Sequence, residues 1–379
     1  MLPAGRISEF CRRRCHFLTY VPYWPIGCRT GFLRADRRSR LGRMTPRLVL
    51  GLMLARLPGF CDWNPQLAAN YLDGRQKEWF AWPRANTAKG VCVSCHTGLP
   101  YMLARPALRT VLKEGGPSPY ETGLLDAIKK RIPTFGTTPA EPVLTALLLA
   151  QEDARRGSLS RETEQAFESL WPLQIASGPS QGAWNWNNTG RDPFSAPYGQ
   201  FYGAALAALA VGVAPEGYQS RPQLQENLAA LKTYLAGRGK AQPLHNRVVL
   251  VWASSKLGGL LTHADREAIV NDLAGKQQAD GGWTLDSLGP WSKHADAPPA
   301  EGSNAYAPGL AALVLERAGV SAANPKLGRA LQWLRAHQDK LGFWEAQSMN
   351  TQYEPGTMPS QFMRDLATGY AALALIEAR

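Results

Sequence analysis

Apolar residues recur with a helical period through most of the chain beyond residue 65, and no stretch alternates as a half-buried strand would. The predicted helices are of two types. One type has a mixed surface of large apolar and charged residues, as in 221–236 and 324–338. The other is rich in Ala and Gly, as in the segments that begin at Tyr202 and Tyr306. Because helices with small residues can approach one another closely, we expect them to form an inner ring inside the mixed helices.

The two types alternate along the sequence, which predicts six helical hairpins, each with an outer and an inner helix. Internal repetition of this length is typical of arrays of identical supersecondary units. Six hairpins that close on themselves form an (α/α)6 toroid, so the predicted fold class is all-α. The predicted pairs are 66–80 with 98–112, 119–131 with 140–156, 160–171 with 198–213, 221–236 with 245–257, 263–277 with 304–318, and 324–338 with 361–378.

Three loops between an outer and an inner helix share a short sequence in which Gly is followed two residues later by Trp. These loops end in Trp184, Trp283 and Trp344, and Gln278 and Gln338 open the last two. They resemble the QW repeats of the squalene-hopene cyclase and protein prenyltransferase toroid superfamily, over about residues 66–379. The segments CVSCHTGLPYMLARPALR and FMRDLATGYAALAL are similar to an uncharacterised bacterial branch that carries a haem-binding motif. The resemblance implies that Gln and Trp of each repeat tie neighbouring helices together.

The sequence lacks the residue patterns that the known reactions of that superfamily require. A class II cyclase would use an Asp-x-Asp-Asp run as its strong acid, and the run is absent. A prenyltransferase would bind zinc through Asp, Cys and His, but no cysteine follows Cys95. Asp365 lies at the start of the last inner helix, where the favoured interpretation is a first-turn acid stabilised by the helix dipole. The alternative is a carboxylate that projects into the central cavity, which makes Asp365 the candidate catalytic residue.

Residues 92–96 read Cys-Val-Ser-Cys-His, a CxxCH motif. Two thiols at this spacing attach the two vinyl groups of one porphyrin, and the following histidine ligates the iron. We therefore predict covalent haem c on Cys92 and Cys95, with His96 as the proximal ligand of the iron. A thioredoxin-like pair would need a βαβ context, and a zinc site would need a second pair of ligands. A plain disulfide between the two cysteines stays open.

The place of this motif in the repeat selects candidates for a sixth iron ligand. Residues 81–97 connect the first outer helix to the first inner helix, and in a toroid all such loops emerge at one end. The His and Met residues of the other long loops are therefore the candidates: His294, Met349 and Met358. An open sixth position is the alternative and would indicate the binding of a small ligand.

Positive charge is concentrated at the N-terminal end. Of the net charge of +12, residues 1–43 hold +8 and the remaining 336 residues hold +4. Nucleic-acid binding would need a basic patch in the folded part, so no nucleic-acid partner is expected. We predict that 1–43 is a disordered basic leader or an over-extended start, with translation beginning at either Met1 or Met44.

Residues 44–61 resemble a secretory signal peptide, with an apolar run from Leu48 to Phe60 that is broken by Arg56. A disordered tail before a buried helix is the alternative. Because haem c is attached outside the bacterial cytoplasm, motif and signal together predict a periplasmic or secreted protein and leave membrane association open. No other segment is apolar over about 20 residues, so no membrane span is expected in the mature chain. Residues 62–379 form the predicted toroid.

Three functional hypotheses follow. The favoured one is an exported c-type haem protein that transfers electrons to a redox partner protein, or performs haem-based redox chemistry near a hydrophobic cavity. The second is a terpenoid cyclase or isomerase with an acid such as Asp365. The third is a module that holds an isoprenoid or another hydrophobic small molecule without converting it. In the last two, the CxxCH motif is not used for haem.

Overall fold

A computed structural model describes residues 63–135, 140–292, 294–299 and 301–378. The predicted leader and signal segment lie outside these residues. The α-helices are α1 (Pro65–Ala81), α2 (Gly98–Leu112), α3 (Pro119–Arg131), α4 (Ala140–Arg156), α5 (Arg161–Leu170), α6 (Gly199–Val213), α7 (Gln225–Arg238), α8 (Leu244–Ser254), α9 (His263–Gly275), α10 (Tyr306–Arg317), α11 (Pro325–Ala336) and α12 (Phe362–Glu377). None of the helices in these ranges is long and apolar enough to cross a bilayer.

Short elements connect these helices. Strands β1 (Asn86–Thr87) and β2 (Gly90–Val91) pair antiparallel in a small hairpin between α1 and α2. Eight 3-10 turns lie at Pro83–Ala85, Ile132–Thr134, Trp171–Leu173, Tyr218–Ser220, Pro222–Leu224, Gly239–Ala241, Leu285–Leu288 and Pro359–Gln361.

The even-numbered helices form a closed inner ring. Each packs against the next even-numbered helix, and α12 packs against α2. The odd-numbered helices pack on the outside of this ring. The predicted (α/α)6 toroid is therefore confirmed, and the observed helix bounds lie within a few residues of the predicted ones.

Outer and inner helices are stabilised in different ways. Five outer helices start with a polar side chain that accepts a hydrogen bond from a backbone N–H of the first turn, which satisfies a donor that has no partner within the helix. These N-caps are Asn64, Ser118, Ser160, Thr262 and Asn324. Inner helices instead bury their flanks against one another through small residues. A Cβ on Gly369 of α12 would lie 2.6 Å from the Cβ of Pro100 in α2, so only glycine fits there.

The loops that share the Gly-x-Trp sequence tie the outer ring together. Each indole N–H donates to a carbonyl near the end of the preceding outer helix: Trp184 to Leu170 at 2.8 Å, Trp283 to Leu273 at 2.8 Å, and Trp344 to Leu334 at 2.7 Å. A glutamine side chain donates to a carbonyl at the next outer helix: Gln174 to Asn227 at 3.0 Å, Gln277 to Lys326 at 2.8 Å, and Gln338 to Asn64 at 3.0 Å. In the loop before Trp283, the glutamine that makes this contact is therefore Gln277 and not Gln278, which the sequence analysis named. Gln278 is exposed and contacts only its own loop.

Candidate functional site

Three long loops meet at one end of the toroid around the buried side chain of Asp192. Its Oδ2 accepts the backbone N–H of Ser292 at 2.7 Å. The backbone N–H of Asp192 donates to Oδ1 of Asn350 at 3.0 Å, and its carbonyl accepts from Nδ2 of the same asparagine. Loops 174–198, 276–305 and 337–361 are therefore held together, as the predicted clustering of long loops at one end requires.

The CxxCH motif lies between β2 and α2. The Ser94 hydroxyl accepts the backbone N–H groups of His96 at 3.1 Å and Thr97 at 2.9 Å, which fixes the turn that leads into α2. Cys92 and Cys95 are half-buried free thiols. Burial raises the pKa of Cys95 to about 12, so this thiol is protonated at neutral pH.

His96 sits among aromatic rings. It stacks on Phe362 with ring centroids 4.9 Å apart, meets Phe194 edge to face at 5.4 Å, and its Nδ1 lies 3.1 Å from Sγ of Cys95. Burial lowers the pKa of His96 to about 4, so the imidazole is neutral at pH 7. A neutral imidazole next to one free thiol, with the second thiol three residues earlier in the chain, has the donor chemistry that a haem c group requires.

The structure places Met358, one of the three predicted sixth ligands, near this motif. It shares a small apolar cluster with Cys92, Phe362 and Trp79. Its sulfur, however, lies 3.0 Å from a guanidinium nitrogen of Arg75. Met349 lines a different cleft and His294 lies half-buried in the 276–305 loop. The assignment of the iron ligands stays a prediction.

Asp365 is fully buried and engaged by four donors. Oδ1 accepts from the Tyr71 hydroxyl and from Arg75 Nε, both at 2.8 Å, and Oδ2 accepts from Thr97 at 2.8 Å and Arg75 Nη2 at 3.1 Å. Arg75 also pairs with Glu78. Burial raises the pKa of Asp365, while Arg75 and the hydrogen bonds oppose this. These contacts connect α1, α12 and the start of α2, which favours a structural role for the carboxylate over the predicted catalytic one.

The inner helices and the 174–198 loop bring together a second group of polar and aromatic side chains inside the ring. We call Phe194, Tyr202, His245, Tyr306 and Tyr370 the central cluster. The Phe194 ring lies 5.4 Å from Tyr202, 5.8 Å from His245 and 5.9 Å from Tyr306, measured between ring centroids. Tyr306 in turn lies 5.7 Å from Tyr370. All five side chains are buried.

Within this cluster, His245 bonds to Tyr306 in a defined direction. Asn246 Nδ2 donates to the carbonyl of Tyr198, so Oδ1 of Asn246 is the acceptor that faces His245 Nδ1 at 2.9 Å. Nδ1 therefore carries the proton, and Nε2 accepts from the Tyr306 hydroxyl at 2.6 Å. Burial lowers the pKa of His245 to about 4, so the pair is uncharged at neutral pH.

The sequence analysis missed this cluster, although a signal existed. Tyr202, Tyr306 and Tyr370 each stand directly before a run of small residues in an inner helix. A large polar side chain that recurs at one position in repeats of small residues indicates a shared location near the axis. His245 and Phe194 carry no comparable signal, because neither stands in a repeated sequence.

A cleft of about 610 Å³ at the loop end is lined mainly by residues of the 276–305 and 337–361 loops. Its lining includes the carboxylates Asp286, Glu301 and Glu345. One wall is formed by Trp333 and His337, whose rings stack at 3.9 Å. Glu345 is neutralised by Arg364 at 2.7 Å. The remaining polar lining consists of Ser303, Asn304, Gln347, Ser348 and Gln352.

Comparison with known proteins finds likeness in structure only. No protein-family model and no curated protein matches the chain. The GH76A α-1,6-mannanase of Salegentibacter sp. HEL1_6 superposes with a TM-score of 0.51 at 9% identity, over 83% of this chain and 100% of the mannanase. The same enzyme, with two consecutive aspartates replaced by asparagine, is an inactive variant that was solved with α-1,6-mannotriose.

Two further solved structures resemble the chain to a similar degree. A possible member of the GH105 family from Klebsiella pneumoniae has a TM-score of 0.50 at 13% identity, over 89% of this chain and 98% of that protein. An unsaturated glucuronyl hydrolase variant with dGlcA-Glc-Rha-Glc has a TM-score of 0.50 at 12% identity, over 82% of this chain and 95% of that protein. At these identities the likeness shows the fold alone.

These comparisons correct the predicted family and function. The solved toroids described above are glycoside hydrolases and not squalene cyclases, so the predicted squalene-hopene cyclase and prenyltransferase recognition is wrong. The predicted haem-based electron transfer and the alternative terpenoid cyclisation are wrong for the same reason. Nothing found supports an isoprenoid ligand or a redox partner protein.

Proposed function

We propose that this chain is a carbohydrate-active protein that binds an oligosaccharide in the loop-end cleft and cleaves it, as a hydrolase or a lyase. The observation that carries the proposal is the chemical character of that cleft. Carboxylates stand beside a stacked aromatic wall and several amide and hydroxyl groups. Sugars present both apolar C–H faces and many hydroxyls, so a site that holds them needs a flat apolar wall and convergent polar groups.

The carboxylates that are free to act are Asp286 and Glu301. Both are exposed in the cleft, and neither forms an ion pair within the described ranges, whereas Glu345 is paired with Arg364. Glycoside cleavage commonly uses two carboxyl groups on opposite sides of the scissile bond. The chain contains no pair of consecutive aspartates, so its acid and base would differ from the pair replaced in the inactive mannanase variant.

Asp286→Asn and Glu301→Gln are expected to lower the rate of saccharide cleavage about 100-fold or more, because each removes a group that can take part in proton transfer. The measurement is release of reducing ends from α-1,6-mannotriose and from dGlcA-Glc-Rha-Glc. Glu267→Gln is the control, since Glu267 lines a separate cleft on α9. If wild-type protein neither binds nor cleaves either sugar, the proposed function is wrong.

Covalent haem c on Cys92 and Cys95 is a separate proposal, supported by the motif, by the two free thiols, and by the His96 ring that lies against Sγ of Cys95. If bound, the group would supply an iron centre held by His96. When residues 44–379 are produced with a cytochrome c maturation system, we expect a Soret band that survives acid-acetone extraction, and its loss in the Cys92→Ala/Cys95→Ala variant. A colourless wild-type protein in which Cys92 and Cys95 both remain free thiols would contradict this.

Export to the periplasm or secretion is likewise a proposal. It is supported by the signal-like sequence of residues 44–61. Fractionation of cells that produce the full chain tests it, because an exported protein is recovered outside the cytoplasm in a processed form.

A further inference from the structure

Resting on the proposed saccharide function, we propose that the loop-end cleft takes an uncharged saccharide, one ring of which stacks on the imidazole of His337, and that it rejects sugars with a uronate group. Such a site suits a hydrolase and not a lyase. With a volume of about 610 Å³, the cleft falls within the range of small-molecule sites. Two of its features support the proposal: a wall that is fixed from behind, and charged lining residues of one sign.

The wall of the cleft presents a flat ring that other groups hold in place. The imidazole of His337 stacks on the indole of Trp333 with an angle of 10° between the two planes. His337 Nδ1 lies 2.7 Å from the Trp333 carbonyl oxygen and carries a proton, because a carbonyl can only accept. The Trp333 indole N–H donates to Oδ2 of Asp280 at 3.1 Å. Since Trp333 is buried and His337 is exposed, His337 covers the indole with one face and turns the other to the cleft.

A ring fixed in this way suits the C–H face of a sugar. Flat aromatic rings supply a large apolar contact area, against which the C–H groups of a pyranose pack. Because His337 is bonded through Nδ1 and rests on Trp333, it loses little side-chain freedom when a ligand binds. The uncharged side chains of Asn304, Gln347 and Gln352 line the same cleft and can exchange hydrogen bonds with the sugar hydroxyls.

The Asp, Glu, Lys and Arg residues along the lining have one sign. They are Asp286, Glu301 and Glu345, and no Lys or Arg lines the cleft in the part of the chain that the structure describes. Arg364 bonds to Glu345 through Nε at 3.2 Å and through Nη2 at 2.7 Å, and its guanidinium lies 4.3 Å from the centre of the Phe343 ring. This arginine is therefore already engaged, and Asp286 and Glu301 face the cleft without a cation.

A uronate in this cleft would meet carboxylates of its own charge. Proteins bind a carboxylate through Arg or Lys, often in a bidentate pair, and like charges a few ångströms apart repel each other. A lyase also removes the proton beside the uronate carboxylate, and the negative charge that develops there has to be stabilised by a cation or by hydrogen-bond donors. A neutral sugar needs no cation, and its hydroxyls can donate to Asp286 and Glu301.

The test is isothermal titration calorimetry of the full chain with two matched sugars. One is α-1,6-mannotriose, and the other is the same trisaccharide with its terminal hydroxymethyl group oxidised to a carboxylate. At low salt we expect the neutral sugar to bind about tenfold more tightly, and the difference to shrink as salt screens the charges. The Asp286→Asn/Glu301→Gln variant should reduce the difference to less than about threefold, because it removes the charges that repel the uronate.

Variants of His337 test the stacking surface in the same experiment. His337→Ala should weaken the binding of mannotriose about fivefold, whereas His337→Phe, which keeps a flat ring, should stay within about twofold of the wild type. His263→Ala is the matched control, because His263 is also exposed but lines a separate cleft on α9.

Each outcome separates the proposed selectivity from the proposed function. Equal binding of the two trisaccharides, tighter binding of the acidic one, or a difference that persists in Asp286→Asn/Glu301→Gln would overturn the exclusion of uronates and leave the saccharide function in place. Unchanged mannotriose affinity in His337→Ala would overturn the stacking role. Binding of dGlcA-Glc-Rha-Glc alone would likewise reject the selectivity and retain the function. Binding of none of these sugars would reject the saccharide function itself.

Discussion

Replacing Asp365 by alanine is expected to destabilise the fold by about 3–5 kcal/mol, because the buried Arg75 guanidinium loses its buried carboxylate partner and keeps only the exposed Glu78. The same change frees the hydroxyls of Tyr71 and Thr97, which both donate to Asp365. The network joins the first outer helix to the last inner helix, where the first and the last helical hairpin close the ring. Urea unfolding followed by tryptophan fluorescence measures the loss.

Two further variants serve as controls for this prediction. Asp126→Ala, at an exposed position of α3, should change the free energy of unfolding by less than about 0.5 kcal/mol. Asp365→Asn keeps the size of the side chain but removes the charge that faces Arg75, so it should also destabilise. An Asp365→Asn protein as stable as the wild type that has lost saccharide cleavage would instead restore the catalytic role predicted from the sequence.

The fold was predictable because its determinants are local and repeated. Helical periodicity, the contrast between small-residue and mixed helices, and caps such as Asn64 and Ser118 are all readable over a few residues. Six repeats of one pattern then leave few ways to bury the small-residue faces except against one another. Closure of the ring follows from the count of hairpins, and α12 does pack against α2.

The same repeated loops misled the choice of family. Trp344 donates to the end of its own outer helix and Gln338 to the start of the next one around the ring. Any toroid of helical hairpins has to join adjacent outer helices in some such way, so a Gln and a Gly-x-Trp sequence report the architecture and not the reaction. The resemblance to cyclases rested on these loops, and the correction to a glycosidase-like fold leaves their structural role intact.

The candidate site was predictable only where its residues are neighbours in sequence. Cys92, Cys95 and His96 form one motif, and the structure keeps Cys95 and His96 in the turn that leads into α2, with Cys92 just before it. The central cluster joins residues far apart along the chain, such as Phe194 and His245. Their proximity depends on where a long loop folds back over the ring, which neither helical periodicity nor local turn preference determines.

Gly342→Ala is expected to destabilise the protein by about 2–5 kcal/mol. Gly342 has φ +96°, where a side chain costs about 1–2 kcal/mol, and its new Cβ would lie 2.2 Å from the backbone oxygen of Leu67 in α1. Because a backbone oxygen cannot rotate away as a side chain can, α1 has to shift relative to the loop. The shift would strain the bond from Gln338 to Asn64 that closes the outer ring. Thermal unfolding followed by circular dichroism measures the effect.

Other glycines separate the two causes of this loss. Gly356 has φ +80° but nothing within 4 Å of an added Cβ, so Gly356→Ala should show the backbone cost alone, about 1–2 kcal/mol. Gly281, in the corresponding loop before Trp283, has φ +95° with its nearest neighbour, the Arg329 oxygen, at 2.8 Å, so its variant should fall between the two. Equal losses in all three would show that the contact with the next outer helix contributes nothing. A graded series would show that these glycines are needed because the loop touches that helix.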